Sequence, residues 1–211
     1  MKLYSYFRSS AAYRVRIALN LKGISYETVP VHLVKDGGHN KLPEFRAVNP
    51  QMRVPVLVTP RGDTLIQSLA IIEYLDETHP QPPLLPQEPI ARAPVRALAE
   101  LIACDIHPLN NIGPLRYLKN NMSQEQSAID AWYHHWIIAG FEALEQLITP
   151  GPYACGREVT LADVCVVPQV NNARRLKVPL ERFPKIVGVD RACLALPAFD
   201  RARPENQPDA E

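Results

Sequence analysis

Two adjacent hydroxyls, Ser9 and Ser10, stand immediately before a helical stretch in a chain of 211 residues, with Arg8 just ahead of them. The first turn of a helix presents backbone N–H groups that have no intrahelical partner, and the positive end of the helix dipole lies there, so an anion is favoured at that place. A thiolate is such an anion. An ordinary thiol, with a pKa of about 8.5, is mostly protonated at neutral pH, and a hydroxyl donor at a helix start can lower that value. The plainer reading is that one serine only caps the helix. A second polar pair, Gln67 and Ser68, opens another helical stretch, where a side-chain amide, a hydroxyl and free helix N–H groups suit a carboxylate; Ser68 equally suits a plain N-cap. The four cysteines, Cys104, Cys155, Cys165 and Cys193, contain no C-x-x-C pair, which argues against a zinc knuckle or a dithiol redox motif and for free buried thiols.

The elements that must position these groups alternate in type over the first eighty residues. Leu3 to Phe7 is a short aromatic run, and Ala11 to Leu21 places Val15, Ala18 and Leu19 on one side at helical spacing with Arg14, Arg16 and Lys22 elsewhere. Gly23 ends that helix. Tyr26 to Leu33 predicts a strand whose Pro30 points to an edge position. Val54 to Val58 predicts a third strand, Asp63 to Ile66 a fourth after an Arg61-Gly62 turn, and Ser68 to Thr78 a capped apolar helix. A strand, helix, strand opening implies a parallel crossover.

Proline makes up 21 of the 211 residues, about twice its usual share of ~5%, and its densest run, His79 to Pro89, cannot sustain a helix or a central strand. We place domain limits at 1–80, a linker at 81–90 and a helical domain at 91–211. In the last of these Val95, Leu98, Ile102, Ile106 and Leu109 keep one helical stripe, and Ile129, Trp132, Trp136, Ile137, Phe141, Leu144 and Ile148 keep another, so two long helices should pack as a bundle. Thr160 with Asp163 three positions on is a relative of the capping box and predicts a helix reaching about Arg175, which makes Asp163 structural. Arg174 reads as a solvated surface charge, His134 and His135 as helix-surface residues without a role, and the chain from Pro204 onward as a loose tail.

Lys and Arg total 23 against 22 Asp and Glu, a formal net charge of +1, so no overall field draws the chain to nucleic acid or to an anionic membrane. The start is not a basic region followed by a long apolar one, and no stretch of 18 residues lacks a polar or charged side chain, so the expected place is the cytoplasm. No metal site is expected.

The segment Ser9 to Leu19, SSAAYRVRIAL, closely resembles the SSCS-x-RVRIAL signature of the zeta-class glutathione transferases, the maleylacetoacetate isomerase family. Lys22-Gly23-Ile24, Lys35 to Gly38, Asn49-Pro50, Val54-Pro55, Gln67 to Leu75 and Val167 to Val170 are similar to zeta-class segments too, so the resemblance covers nearly the whole chain. It implies a thioredoxin-like α/β N-terminal domain followed by an all-α domain, with glutathione as cofactor and a homodimer as the assembly. Ser10, with Ser9 beside it, would donate to the glutathione thiolate, and Ala11 stands at the next position. Val54, ahead of a cis Pro55, would pair with the cysteinyl backbone, and Gln67 and Ser68 would take the γ-glutamyl carboxylate. His39 or Asn40 falls where the family places a polar contact. Asp105, His107 and Asn111 match the region that touches glutathione from the second domain or from the partner subunit; Asp105, near an apolar stripe, needs a partner or a boundary position.

The resemblance further implies cis–trans isomerisation of a small dicarboxylate by reversible thiolate addition, with Arg8, Arg116 and Arg175 as candidates for the carboxylates and Arg175 aligned with a zeta-like arginine. Arginine suits that task because its bond to a carboxylate is bidentate and charge-assisted. Ala11 stands where the signature has cysteine, and with the basic set Arg8, His107, Arg116 and Arg175 this favours maleylpyruvate as substrate, ahead of maleylacetoacetate. A general conjugating transferase and a non-catalytic binding module are the other classes, the latter at odds with the retained serines.

Overall fold

The computed structural model describes residues 1–211. The chain divides into two compact units, Met1–Pro83 together with Ala195–Glu211, and Leu84–Leu194.

The first unit opens with strand β1 (Lys2–Ser5), helix α1 (Ser10–Leu21) and strand β2 (Glu27–Pro30). Two single 3-10 turns, Lys35–Gly37 and His39–Lys41, lead to helix α2 (Pro43–Val48), strands β3 (Val56–Val58) and β4 (Thr64–Ile66), and helix α3 (Ser68–Thr78). The sheet order is β2-β1-β3-β4. β1 and β2 run parallel across the α1 crossover, and β1–β3 and β3–β4 are antiparallel. Pro30 therefore lies on an edge strand, where a missing N–H costs the ladder nothing. Leu3, Val15, Ile17, Leu57, Ile71 and Leu75 are fully buried and form the core that one face of the sheet shares with α1 and α3. On the other side Tyr6, Phe7, Val31, Phe45, Val54 and Val56 make a second cluster.

Arg14, Arg16 and Lys22, which the sequence places off the apolar side of α1, are buried rather than solvated: Arg14 is 1% exposed, Arg16 0%, and the Lys22 side chain 0%. The cause lies far along the chain. α1 packs against α3 and also against a short helix α10 (Pro197–Ala202), so it has no solvent face. The chain from Ala195 thus belongs to the first unit and not to the helical one, which corrects the C-terminal limit of the 91–211 domain. Nor is the end of the chain a loose tail. A 3-10 turn at Pro204–Asn206 is followed by buried Gln207, whose Nε2 donates to Arg201 O at 2.9 Å and Arg203 O at 2.8 Å.

The second unit contains α4 (Pro89–Glu100), a π-helical segment Leu101–Ile106, α5 (His107–Asn110), α6 (Ile112–Asn120), α7 (Gln126–Leu147), α8 (Leu161–Arg175) and α9 (Pro184–Leu194). The stripe from Val95 to Leu109 is thus one helical path whose second half is wound wider and then restarted at His107, just before Pro108, a residue without an N–H to continue the ladder. Val95, Leu98, Ile102 and Ile106 are buried as their spacing predicts. Gly140 of α7 lets that segment come close, since a Cβ there would collide with the Ile106 side chain. α8 is the central helix of the unit, packed against α4, α9 and the π segment. Its start is a full capping box: Asp163, wholly buried, accepts from Thr160 N–H at 2.8 Å, Thr160 Oγ1 at 2.9 Å and Ala154 N–H at 2.7 Å.

Candidate active site

Sheet register decides where the site residues of the first unit go. Tyr4 is paired with Val56, and Val56 with Ile66. The end of β1, the start of β3 and the end of β4 therefore lie in a row. Whatever follows Ser5, precedes Val56 or follows Ile66 must emerge at that one edge of the sheet, and these are Arg8 to Ala11, Val54-Pro55 and Gln67-Ser68.

Ser9 has extended backbone and caps α1, with Ala12 N–H donating to its Oγ at 3.2 Å. Ser10 is the first helical residue, 5% exposed, and Ala11 follows half-buried with only a methyl to offer. Arg8 is exposed and its guanidinium lies 4.8 Å from the centroid of the Phe7 ring, a stacking contact that limits where the charge can swing. The Val54-Pro55 peptide is cis, as the resemblance implies, and Val54 is buried beside Tyr6 and Phe7. Its loop is shaped from below by Asn49, 1% exposed, which donates to Arg53 O at 2.7 Å and accepts Gln51 N–H at 3.0 Å.

Gln67 has φ of 70°, a left-handed backbone rare for a side-chain-bearing residue, and such strain collects at functional sites. Its Nε2 donates to Gln51 Oε1 at 3.0 Å. Ser68 is buried at the head of α3 and accepts from Arg14 Nη1 at 3.3 Å, so a buried cation of α1 reaches the N-terminus of α3. His39 is bonded to Asp36 Oδ2 at 3.1 Å across a 3-10 turn and is joined to no other site residue. Asn40 instead donates to Met52 O at 2.8 Å and so braces the loop ahead of Val54.

In the second unit Asp105 is exposed at the end of the π segment, which meets the boundary position required of it. His107 begins α5. Asn111 accepts the Ile112 N–H at 2.7 Å as the N-cap of α6, and Arg116 lies half-buried within that helix. Arg175 ends α8, exposed, and its side chain bonds the hydroxyl of Tyr133, a residue of α7. Burial pushes the Tyr133 hydroxyl up to about 12, with Arg175 pulling the other way. Arg174 is not a free surface charge: Nη1 lies 2.6 Å from Oδ2 of Asp190, which is 1% exposed. His134 Nε2 lies 2.8 Å from Leu176 O.

Sequence reading missed Arg14, Arg16, Asp190 and Asp209. Arg16 is the most densely bonded of them. Its Nε donates to Ala202 O at 3.0 Å, Nη1 to Ser5 Oγ at 3.1 Å and Tyr6 O at 3.4 Å, and Nη2 to Phe7 O at 3.1 Å. Burial lowers its pKa to about 10, partly offset by nearby groups that include Asp209. The Arg-x-Arg spacing in the middle of an otherwise apolar helix was the available signal.

A thioredoxin-like sheet with helix N-termini gathered at one edge, together with a separate helical unit in the same chain, is the arrangement of glutathione transferases. Residues 3–83 match the family model for the glutathione S-transferase N-terminal domain. The maleylpyruvate isomerase of a Ralstonia species is 50% identical over 214 residues, covering 100% of both chains. A solved holo maleylpyruvate isomerase, described as a bacterial zeta-class glutathione transferase, is 48% identical with a TM-score of 0.96 and full coverage of both chains. A maleylacetoacetate isomerase of Anaeromyxobacter dehalogenans, solved with dicarboxyethyl glutathione and citrate in its active site, is 41% identical with a TM-score of 0.87, covering 100% of this chain and 97% of that one. The chain belongs to the zeta-class glutathione transferases of the maleylacetoacetate and maleylpyruvate isomerase family.

Proposed function

We propose that this protein uses glutathione to isomerise maleylpyruvate to fumarylpyruvate. The observation that carries the reading is the row formed by the α1 N-terminus with Ser9 and Ser10, the Val54-Pro55 cis peptide and the strained Gln67 at the head of α3, all brought to one edge of the sheet. Ser10, buried at the first helical position, is assigned the donation to the glutathione sulfur, with Ser9 beside it as the helix cap. The unpaired N–H groups of the first turn add to the local positive potential.

The thiolate adds to one carbon of the cis double bond, and the electron pair moves into the conjugated carbonyl as an enolate. Rotation about the new single bond follows. The enolate then collapses, the C–S bond breaks, and the trans product and glutathione thiolate are released, so no atom is gained or lost. Arg8, Arg116 and Arg175 are assigned to the substrate carboxylates and the enolate charge, which is electrostatic stabilisation by donors placed in advance. Val54, Gln67 and Ser68 hold the glutathione backbone and γ-glutamyl carboxylate, with Asp105, His107 and Asn111 as further contacts.

Maleylacetoacetate is the second reading, favoured by the likeness to the Anaeromyxobacter protein. The ratio of kcat/KM for the two substrates at saturating glutathione separates them, and full-rate isomerisation without glutathione would overturn both. We also infer a homodimer acting in the cytoplasm. No helix is long and apolar enough to cross a membrane, and light scattering on the purified chain checks the dimer.

A further inference from the structure

Phe7, two residues ahead of the site serines, is gripped by two opposite charges and carries a third. Its N–H donates to Asp209 Oδ2 at 3.0 Å, its carbonyl accepts from Arg16 Nη2 at 3.1 Å, and its ring lies under the Arg8 guanidinium at 4.8 Å. Asp209 stands 202 positions away in sequence. It is nevertheless a fixed group, because the segment that carries it is anchored on both sides: Gln207 is buried and bonded to the carbonyls of Arg201 and Arg203, and the Glu211 carboxylate lies 3.4 Å from His32 Nε2.

The turn between β1 and α1 is also held by the packing of Tyr6 and Phe7 and by its own backbone. Ser9 N–H donates to Tyr6 O at 2.9 Å, and that same carbonyl also takes an Arg16 bond at 3.4 Å. Arg16 itself is wholly buried and makes no ion pair within 4 Å, so its charge needs compensation over a longer range. Asp209 is the carboxylate that acts on it. Asp209 therefore adds to the compensation that Tyr26 and Tyr13 give the buried guanidinium, and it ties down the peptide which that guanidinium grips from the other side.

We propose that Arg16 and Asp209 are positioning residues of the active site: together they fix the Phe7 peptide, and through it the placement of Arg8 and of the Ser9-Ser10 helix start. Neither touches glutathione or substrate. The idea rests on the glutathione reading given above. Its chemical content is that thiolate stabilisation falls steeply with donor misplacement, since a hydrogen bond weakens with both length and angle, and a donor set on rigid elements holds its geometry only while its supporting shell does.

The test compares the full-length wild type with Asp209→Ala and Asp209→Asn. Glutathione affinity is read by calorimetry, the pKa of the bound thiol by thiolate ultraviolet absorbance against pH, and fold by thermal unfolding. A wild type that binds no glutathione would sink the functional reading itself and is seen before any variant is made. If the wild type binds, Asp209→Ala is expected to raise the bound thiol pKa toward the free value of about 8.5 and to lower kcat/KM about tenfold at neutral pH. Folded Asp209→Ala protein with wild-type affinity and wild-type thiol pKa overturns the proposal. Should Asp209→Ala fail to fold, Asp209→Asn decides. It keeps an acceptor for the Phe7 amide but loses the charge beside Arg16, so a raised thiol pKa supports the proposal and an unchanged one overturns it.

Discussion

Ser9 Oγ accepts the Ala12 amide at 3.2 Å, so the first of the two adjacent hydroxyls caps the helix, and the second stands at the first helical position. The two serines should therefore respond differently to the same substitution. Ser9→Ala removes an N-cap and is expected to cost about 1 kcal/mol of stability. Ser10→Ala is expected to lower kcat about a hundredfold, the scale of losing one donor to a reacting anion. Thermal unfolding and steady-state kinetics on both variants check this; an activity loss in Ser9→Ala equal to that in Ser10→Ala would reverse the assignment.

A buried pair fastens the end of the first unit's helical layer. Lys22 Nζ lies 2.5 Å from Asp76 Oδ1 and donates to the Pro82 carbonyl, which joins α1 to α3 and to the segment that follows α3. Lys22→Met takes away the cation and leaves a carboxylate only 12% exposed. The expected loss is about 3 to 5 kcal/mol, and the double variant Lys22→Met with Asp76→Leu should recover much of it, because removing both charges also removes their desolvation cost. Urea unfolding of the two variants is the measurement.

Short-range signals account for what the sequence revealed. Ser68–Thr78 carries its own apolar band, although Ser68 is the first helical residue and the N-cap position falls on Gln67, whose side chain makes no capping bond; the Thr160–Asp163 box that opens the helix to Arg175 is written in four consecutive residues. The serine pair and the Gln67-Ser68 pair were visible because their chemistry depends on being at a helix start. Arg14 and Arg16 were not, since helical periodicity marks which side of α1 is apolar but not that α10, about 180 residues later, covers another side. Asp209 looked like part of a polar tail, and only the tertiary fold gives it Phe7 as a partner. The restart of the first long helix at His107, just before Pro108, was legible in principle, whereas the π segment before it leaves the apolar stripe unchanged.

Asp163 takes two N–H and one O–H donor on its two oxygens, with the Cys193 thiol a longer fourth at 4.0 Å, and has no exposure at all. Burial raises its pKa while those three bonds pull it back down. Asp163→Ala would leave the Ala154 and Thr160 amides buried without acceptors, at about 1 to 3 kcal/mol each, and would remove the cap of the helix that ends in Arg175. We expect a loss of about 3 kcal/mol or more in chemical unfolding, against a smaller loss for Asp163→Asn, which keeps one acceptor oxygen. Equal losses would mean that charge rather than acceptor count holds the cap.

Alkaline stability isolates Tyr133. Its hydroxyl is raised by burial from the usual 10 to about 12, so between those values the unfolded chain has lost the proton that the folded chain retains. Stability from this group is complete below about pH 10 and is lost as pH rises toward 12, at roughly 1.4 kcal/mol per pH unit. Arg16 works with the opposite sign over the same range, since its folded pKa of about 10 lies below the unfolded one and the folded chain sheds its proton first. Tyr26, Tyr153, Cys155 and Cys193 are raised as well, so the wild-type curve alone mixes several slopes. Subtracting the curve for Tyr133→Phe cancels Arg16 and the other groups, which both proteins share. The difference in unfolding free energy between wild type and Tyr133→Phe, followed by urea titration from pH 9 upward, is expected to shrink steadily above pH 10. A difference that stays constant would mean that the tyrosine ionises as freely in the folded chain as in the unfolded one.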